Sequence, residues 1–189
     1  MTVVGAYGAG AILGSASLGL VAGWLGEAVV EPGRSERLAL PVLALILAAA
    51  DLGLLRLRTP SVGRQTQRLW WYRLRKPVAA FAWGFDLGLV VTSIRVSSLG
   101  WVALAAAFLA GSGWWGAVVM APYGVGLVTN LVAATLAESR RISPSAAVED
   151  VGTEFGVRFL ALQPMLRRLS GLSLLTWGAA SALLLALAN

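Results

Sequence analysis

Long apolar runs, almost free of charged residues, alternate with short polar segments along the whole chain. A helix needs about 20 apolar residues to cross a bilayer core about 30 Å thick, and each run reaches or approaches that length. The pattern predicts an all-α polytopic membrane protein that forms one integral membrane domain. The runs cover residues 3–26, 38–55, 78–94, 100–137 and 171–188.

The fourth run is too long for one crossing, and it contains two sets of helix-breaking residues. Gly-Ser-Gly at 111–113 and Pro-Tyr-Gly at 122–124 each favour the end of a helix. The sequence leaves open whether a short helix ends near Gly111 or a longer one ends near Pro122. Either division predicts about six transmembrane helices.

The composition agrees with a membrane protein and removes most kinds of catalysis. Of the 189 residues, 58% are hydrophobic and 13% are charged, and the mean hydropathy is +0.77. The chain has no cysteine and no histidine, which excludes disulfides, thiol redox chemistry, thiolate or imidazole metal sites, haem ligation by these residues and a histidine base. We expect no cofactor and no metal. The sequence favours a protein without enzymatic activity but leaves that question open.

Basic residues are concentrated in the segments between the apolar runs. The net charge is +6, yet this placement indicates membrane orientation and not nucleic-acid binding. Seven of the fifteen basic residues, and no acidic residue, lie in the loop 56–76. The positive-inside rule places this loop and the N-terminus in the cytoplasm, and we predict a bacterial cytoplasmic membrane. Because residues 1–10 contain no basic residue, we expect a retained first helix and not a signal peptide.

Aromatic residues lie beside the arginines of the loop 56–76, as they do where a protein meets lipid headgroups. One interpretation is a plain interfacial anchor. The other is a docking surface for lipid headgroups or for another membrane subunit. The candidate residues are Arg64, Arg68, Trp70, Trp71, Arg73, Arg75 and Lys76.

The loop 139–170 is predicted to lie outside if the chain crosses the membrane six times. Apolar residues recur in this loop at spacings of three and four, which is typical of one face of a helix. We predict an amphipathic helix near 144–162 that lies on the membrane surface or packs over the bundle as a lid. Its apolar positions are Val148, Val151, Phe155, Phe159 and Leu162.

The two halves of the chain resemble each other when Pro60 is aligned with Pro144. Each half then contains two helices, a long loop with a Pro-Ser pair and a helix that opens with Trp-Gly. We predict halves at 1–97 and 98–189, and because three helices per half is an odd number, the halves lie inverted in the membrane. Inverted repeats are a common plan of secondary transporters. The matched features are Arg56 with Arg140, Pro60-Ser61 with Pro144-Ser145, and Trp83-Gly84 with Trp177-Gly178.

Glycines recur at the start of the first predicted helix and again at 111–116. Small residues let helix backbones approach closely, and breaks at glycine also give discontinuous helices that line a cavity. The sequence favours close packing. Gly84 in the third helix and Gly178 in the sixth further predict a contact between these two helices.

Four polar residues inside the predicted helices are candidates for a substrate or ion site. Asp86 lies about 12 Å into the third helix, where it either binds a proton, a cation or an amine or serves as a protonated packing residue. Arg95 either extends to the interface or binds an anion together with Thr92. Asn130 lies mid-helix and needs a hydrogen-bond partner. Asp51, by contrast, is predicted to lie near the cytoplasmic edge, where it meets Arg56 or solvent.

This arrangement resembles the transmembrane group of cytochrome c biogenesis (CcdA-type) and DsbD proteins and, more loosely, LysE-like exporters. The resemblance covers nearly the whole chain and is carried by the glycine-rich first helix of each half, the Pro-Ser loops and the Trp-Gly motifs. It implies a fold of inverted three-helix halves. The family passes reducing equivalents through a cysteine in the first helix of each half, and this chain has none. The resemblance therefore implies the fold without its redox activity, and it transfers no catalytic residue.

Two functions follow from the sequence. The first is transport or export of a small solute or ion by rocking one half against the other, with Asp86 as the coupling residue. The alternative is a non-catalytic subunit, anchor or assembly factor of a larger membrane complex that docks through the arginine-rich loop. In both, the lipid bilayer is a partner and nucleic acid is not.

Overall fold

In the residues that the computed structural model describes, all regular secondary structure is α-helical. The described residues are 3–30, 34–57, 70, 73–90, 98–139 and 148–187, with side chains except at 34–37, 134–139 and 148–163. The predicted all-α fold is confirmed. The helices are α1 (Val3–Val29), α2 (Arg34–Asp51), α3 (Lys76–Gly88), α4 (Leu99–Leu109), α5 (Gly113–Ser139) and α6 (Val148–Leu187).

Helix α1 is the centre of the packing, because α3, α4 and α5 all pack against it. A side-chain carbon at Gly10 would collide with the backbone of Phe81 in α3, and one at Gly19 would collide with the backbone of Gly116 in α5. A carbon at Gly26 would collide with the backbone of α4. Such close approach gives the extensive van der Waals contact that holds helices together in lipid. The close-packing interpretation of the glycines is confirmed.

The order of the contacts shows that α5 runs antiparallel to α1. Gly8 near the start of α1 lies against Val128, whereas Gly23 near its end lies against Ser112, just before α5 begins. Later residues of α1 thus meet earlier residues of α5. The two helices cross the bundle in opposite directions.

Helix α3, by the same reasoning, runs parallel to α1. Gly84 lies against Tyr7, and Gly88, one turn later, lies against Ser15. The order of residues is therefore the same in both helices. Gly84 contacts α1 and not the last helix, so the predicted contact between the third and sixth helices at Gly84 and Gly178 is wrong.

Helices α4 and α5 form a hairpin. The turn is at Gly111, whose positive φ of 57° is a conformation that suits glycine. Gly100 near the start of α4 lies against the ring of Tyr123 in α5, so the two helices are antiparallel and α4 runs in the direction of α1. Of the two predicted divisions of the fourth run, the break near Gly111 is the one present, and α5 continues through Pro122.

Helices α2 and α6 form a second, antiparallel pair. Gly178 lies against Leu45 of α2, and Gly171, two turns earlier, lies against Leu52 just beyond its end. Among the described residues, α4 is the element through which this pair makes its main contact with the other helices. The apolar cluster at this contact comprises Ala44, Ala48, Val102 and Leu174.

Helices α3 and α4 lie one after the other along α1 in the same direction, as the two parts of one interrupted crossing would. They have 13 and 11 residues, or about 20 Å and 17 Å at 1.5 Å per residue, so neither alone spans a core about 30 Å thick. Gly88 at the end of α3 lies beside Ser15, and Phe108 at the end of α4 lies beside Gly26. Helix α3 therefore covers the first half of α1 and α4 covers the second half. Together they are long enough to cross.

The number of spanning helices differs from the prediction of six. In the described chain three helical segments are long and apolar enough to span a membrane. The six-helix prediction counted α3 and α4 as separate and opposed crossings. An inverted second half would need α4 to oppose α1, whereas the contacts give both helices the same direction, so the inverted repeat is not confirmed. The three segments are Val3–Val29, Gly113–Ala133 and Pro164–Leu187.

The helix predicted near 144–162 is not a separate element over the described residues. Helix α6 continues from Val148 to Leu187 and contains Pro164 in its interior. A proline removes one backbone hydrogen bond but does not necessarily end a helix. The 40 residues of α6 correspond to about 60 Å, so the helix extends well beyond a membrane-spanning length.

Replacing Gly84 with alanine is expected to destabilise the protein. The added carbon would collide with the carbonyl oxygen of Tyr7, and separating the helices to make room costs about 1–3 kcal/mol. Gly126 in α5 is the matched control, because a side-chain carbon there would have nothing within 4 Å. Thermal unfolding in detergent measures both variants. Equal melting temperatures for Gly84→Ala and Gly126→Ala would contradict the close contact between α1 and α3.

The interrupted crossing predicts that Lys76 and Ser112 lie on opposite sides of the membrane. If α3 and α4 were two opposed crossings, both residues would lie on the same side. Because the chain has no cysteine, Lys76→Cys and Ser112→Cys each introduce a single labelling site. In sealed vesicles, a membrane-impermeant maleimide is expected to label one variant from outside and the other only after permeabilisation. Labelling of both variants from the same side would overturn the shared direction of α3 and α4.

Candidate functional site

A buried carboxylate, Asp51, connects α2 with α4 and α6. Its side chain is 1% exposed. The backbone N–H of Ser98 donates a hydrogen bond to Oδ2 at 2.9 Å, and the Ser98 hydroxyl donates to Oδ1 at 2.9 Å. From α6, the Ser170 hydroxyl donates to Oδ2 at 3.0 Å, and Arg167 Nε lies 3.5 Å from Oδ1. We call these four residues the Asp51 cluster.

The way in which α2 ends places Asp51 in the interior. Gly53 has a φ of +80°, and the N–H groups of Gly53 and Leu54 donate to the carbonyls of Ala50 and Ala49. This is the Schellman arrangement, which ends a helix at a glycine with positive φ. Helix α2 therefore stops at Asp51, whose side chain is buried against α4 and α6, whereas residues 53–57 are exposed.

The start of α4 favours the negative charge of Asp51, and the end of α2 favours the positive charge of Arg167. The N-terminus of a helix carries a partial positive charge and the C-terminus a partial negative charge. Asp51 accepts the N–H of Ser98 at the start of α4, and Arg167 Nη2 donates to the carbonyl of Ala50 at the end of α2, at 3.0 Å. An ionised carboxylate in apolar surroundings needs such donors. The side chain of Arg167 nevertheless remains 44% exposed.

Asp86, the main candidate from the sequence, is also buried, with 7% of its surface exposed. It lies on α3 between Gly84 and Gly88, which pack against α1 on either side of Ala11. Asp86 is therefore level with Ala11, about 12 Å along α1 from Val3.

The Asp51 cluster lies at the same depth in the bundle as Asp86. Gly124 of α5 packs against Ala11 of α1, and Tyr123 beside it packs against Gly100 at the start of α4. The start of α4, which holds the Asp51 cluster, is therefore level with Asp86. The break between α3 and α4 is at this depth as well. We call this level the polar layer, and its residues are Asp51, Asp86, Ser98, Arg167 and Ser170.

The structure places the other sequence candidates elsewhere. Asn130 is exposed on the outer face of α5 and does not join the buried polar layer. Trp70 is half-buried, whereas Arg73, Arg75 and Lys76 are exposed around the start of α3. The remaining candidates lie outside the described residues: Arg64, Arg68, Trp71, Thr92 and Arg95.

Sequence reasoning missed Asp51 as a site residue. The prediction that Asp51 meets Arg56 or solvent is wrong, because its side chain is buried and α6 brings Arg167 to it. The available signal was Gly53, since a glycine two residues after an acid at the end of an apolar run favours a helix C-terminus there. Its partners Ser98 and Ser170 are 47 and 119 residues further along the chain, and no local pattern connects them.

The polar layer can hold a proton or a small cation by its carboxylates. Among the described residues, no group of three or more histidine, cysteine, aspartate or glutamate side chains is placed to hold a metal ion. No known protein family, curated protein or solved structure matches the chain.

Asp51→Ala is expected to destabilise the protein by about 1–3 kcal/mol, because the Ser98 N–H loses its acceptor in apolar surroundings. Glu27→Ala is the matched control, since Glu27 is exposed near the far end of α1 and its removal is expected to change stability little. Unfolding in mixed micelles with increasing SDS measures both variants. Equal effects of the two substitutions would show that the Asp51 cluster does not hold α2 to its neighbours.

Proposed function

We propose that the protein is a small membrane transporter that moves a small solute or ion through the polar layer. The observation that carries this proposal is the interrupted α3–α4 crossing, whose break is level with the buried carboxylates of Asp51 and Asp86. Discontinuous helices whose ends meet inside the membrane form the substrate and ion sites of many secondary transporters. Acidic residues inside a membrane bundle are costly, and they often mark ion or proton pathways.

Asp86 is the coupling residue in this proposal. A carboxylate in the bundle interior binds a proton, an alkali cation or the ammonium group of an amine. Asp51 already accepts hydrogen bonds from Ser98 and Ser170 and faces Arg167, so its first role is to join helices. The solute class that this favours is a small cation or amine that moves with, or in exchange for, a proton.

The packing of the helices supports transport by rocking. Close glycine contacts hold α1, α3 and α5 together, whereas the α2–α6 pair contacts the other helices mainly through α4. Rocking of one group of helices against another opens a central site to each side in turn. The group that moves in this proposal is α2 with α6. The division of the chain into halves at 1–97 and 98–189 stays a prediction.

We propose further that the end of the bundle where α1 begins faces the cytoplasm of a bacterial cell. Helices α3 and α6 begin at that end and α5 ends there, because of the directions in which they pack. The segments 56–76 and 140–168, which adjoin these helix ends, contain twelve of the fifteen basic residues. The positive-inside rule assigns such an end to the cytoplasm. The outside location that the sequence predicts for 139–170 depends on six crossings.

A second candidate function, that of a non-transporting subunit of a larger membrane complex, is favoured by Asn130. This residue is exposed on the outer face of α5, within the segment Gly113–Ala133. Amide side chains in a membrane-spanning segment can hydrogen-bond to a helix of another chain. Stable co-purification of a second chain, without any flux, would favour this function over transport.

Asp86→Asn is expected to abolish proton-coupled flux, because an amide of nearly the same shape cannot take up and release a proton. Purified protein is reconstituted into vesicles loaded with a pH-sensitive dye. The vesicles are then exposed in turn to alkali cations, small amines and cationic or neutral amino acids. A transported compound changes the internal pH with the unmodified chain and not with Asp86→Asn.

Glu27→Gln is the control for this measurement, because Glu27 is an exposed acid far from the polar layer. Its flux is expected to equal that of the unmodified chain. The proposed coupling is wrong if Asp86→Asn keeps the full flux, or if no compound of the panel changes the internal pH.

A further inference from the structure

The α2–α6 pair is held to the rest of the described bundle by one small apolar contact and one polar link. Both are made with α4, at Val102 and at Ser98. The other helices pack mainly against one another and against α4. Separation of the pair from α4 therefore requires the polar link between Asp51 and Ser98 to break.

The strength of this link depends on the charge of Asp51. An ionised carboxylate only accepts hydrogen bonds, whereas a protonated carboxyl carries one O–H that donates. A protonated carboxyl also no longer neutralises the partial positive charge at the start of α4 or the guanidinium of Arg167. These two positive groups lie on opposite sides of the contact, one on α4 and one on α6. Without a negative charge between them, they oppose the contact.

We propose that Asp51 is a proton-binding site that controls the separation of the α2–α6 pair from α4. With Asp51 ionised, the link is closed. When Asp51 takes up a proton from water, the link to Ser98 weakens and the pair moves away. Among the described residues, the charged group that faces Asp51 is Arg167 of α6, and the other groups around it are the uncharged hydroxyls of Ser98 and Ser170. The inference goes beyond the proposed transport, because this equilibrium needs no substrate.

Distances between pairs of spin labels test the proposal. The chain has no cysteine, so Val132→Cys with Met165→Cys places one label on α5 and one on α6, at exposed positions. The control pair, Val21→Cys with Val132→Cys, places one label on α1 and one on α5, at exposed positions of two helices that pack closely against each other. Full-length protein in phosphatidylcholine nanodiscs is measured from neutral to acidic pH.

The expected result is a longer distance between positions 132 and 165 at acidic pH, with no change in the control distance. Asp51→Asn keeps the shape of the side chain without its charge, so this variant is expected to show the longer distance at every pH. Glu27→Gln is the control, since Glu27 is an exposed acid far from the polar layer. Its distance is expected to change with pH as in the unmodified chain.

Three outcomes overturn the proposal. The distance between positions 132 and 165 does not depend on pH in the unmodified chain, a result that requires no variant to fold. Alternatively, the pH dependence survives in Asp51→Asn. The third outcome is an equal change in the control distance, which indicates general unfolding and not movement of the α2–α6 pair. Failure of transport leaves these distances unaffected, so the two proposals fail separately.

Discussion

Close backbone contact along α1 is the constraint on which the rest of the structure depends. Lipid tails provide no hydrophobic drive for helices to associate, so contact must come from van der Waals packing and hydrogen bonds. Gly10, Gly19 and Gly26 turn toward three different neighbours and let each approach the backbone of α1. Each contact also sets a direction, and α1 thereby orients α3, α4 and α5.

The α2–α6 pair is attached in a different way. Its contact with α4 combines a small apolar cluster with the carboxylate of Asp51. This carboxylate accepts hydrogen bonds from Ser98 at the start of α4 and from Ser170 of α6. Buried charges of this kind contribute little net stability, but breaking one costs much.

The interruption between α3 and α4 relates this architecture to function. Two short helices that share one crossing leave helix ends inside the bundle, where backbone groups need partners. Ser98 at the start of α4 finds its partner in Asp51, and Asp86 lies at the same depth on α3. The position of Asp86 could be predicted, because it depends only on its place in an apolar run. The partners of Asp51 could not be predicted, because they come from distant segments.

The sequence by itself determined that the chain is helical, that its apolar runs suit a membrane, that its glycines pack closely and that a helix can end near Gly111. These properties depend on the composition of stretches of about 20 residues, which a hydropathy profile of the sequence shows directly. Only the tertiary structure decided that α3 and α4 share one direction and that Asp51 is an interior residue. The reason is physical: an apolar helix has the same hydropathy in either direction, and a buried carboxylate is satisfied by groups 47 and 119 residues away.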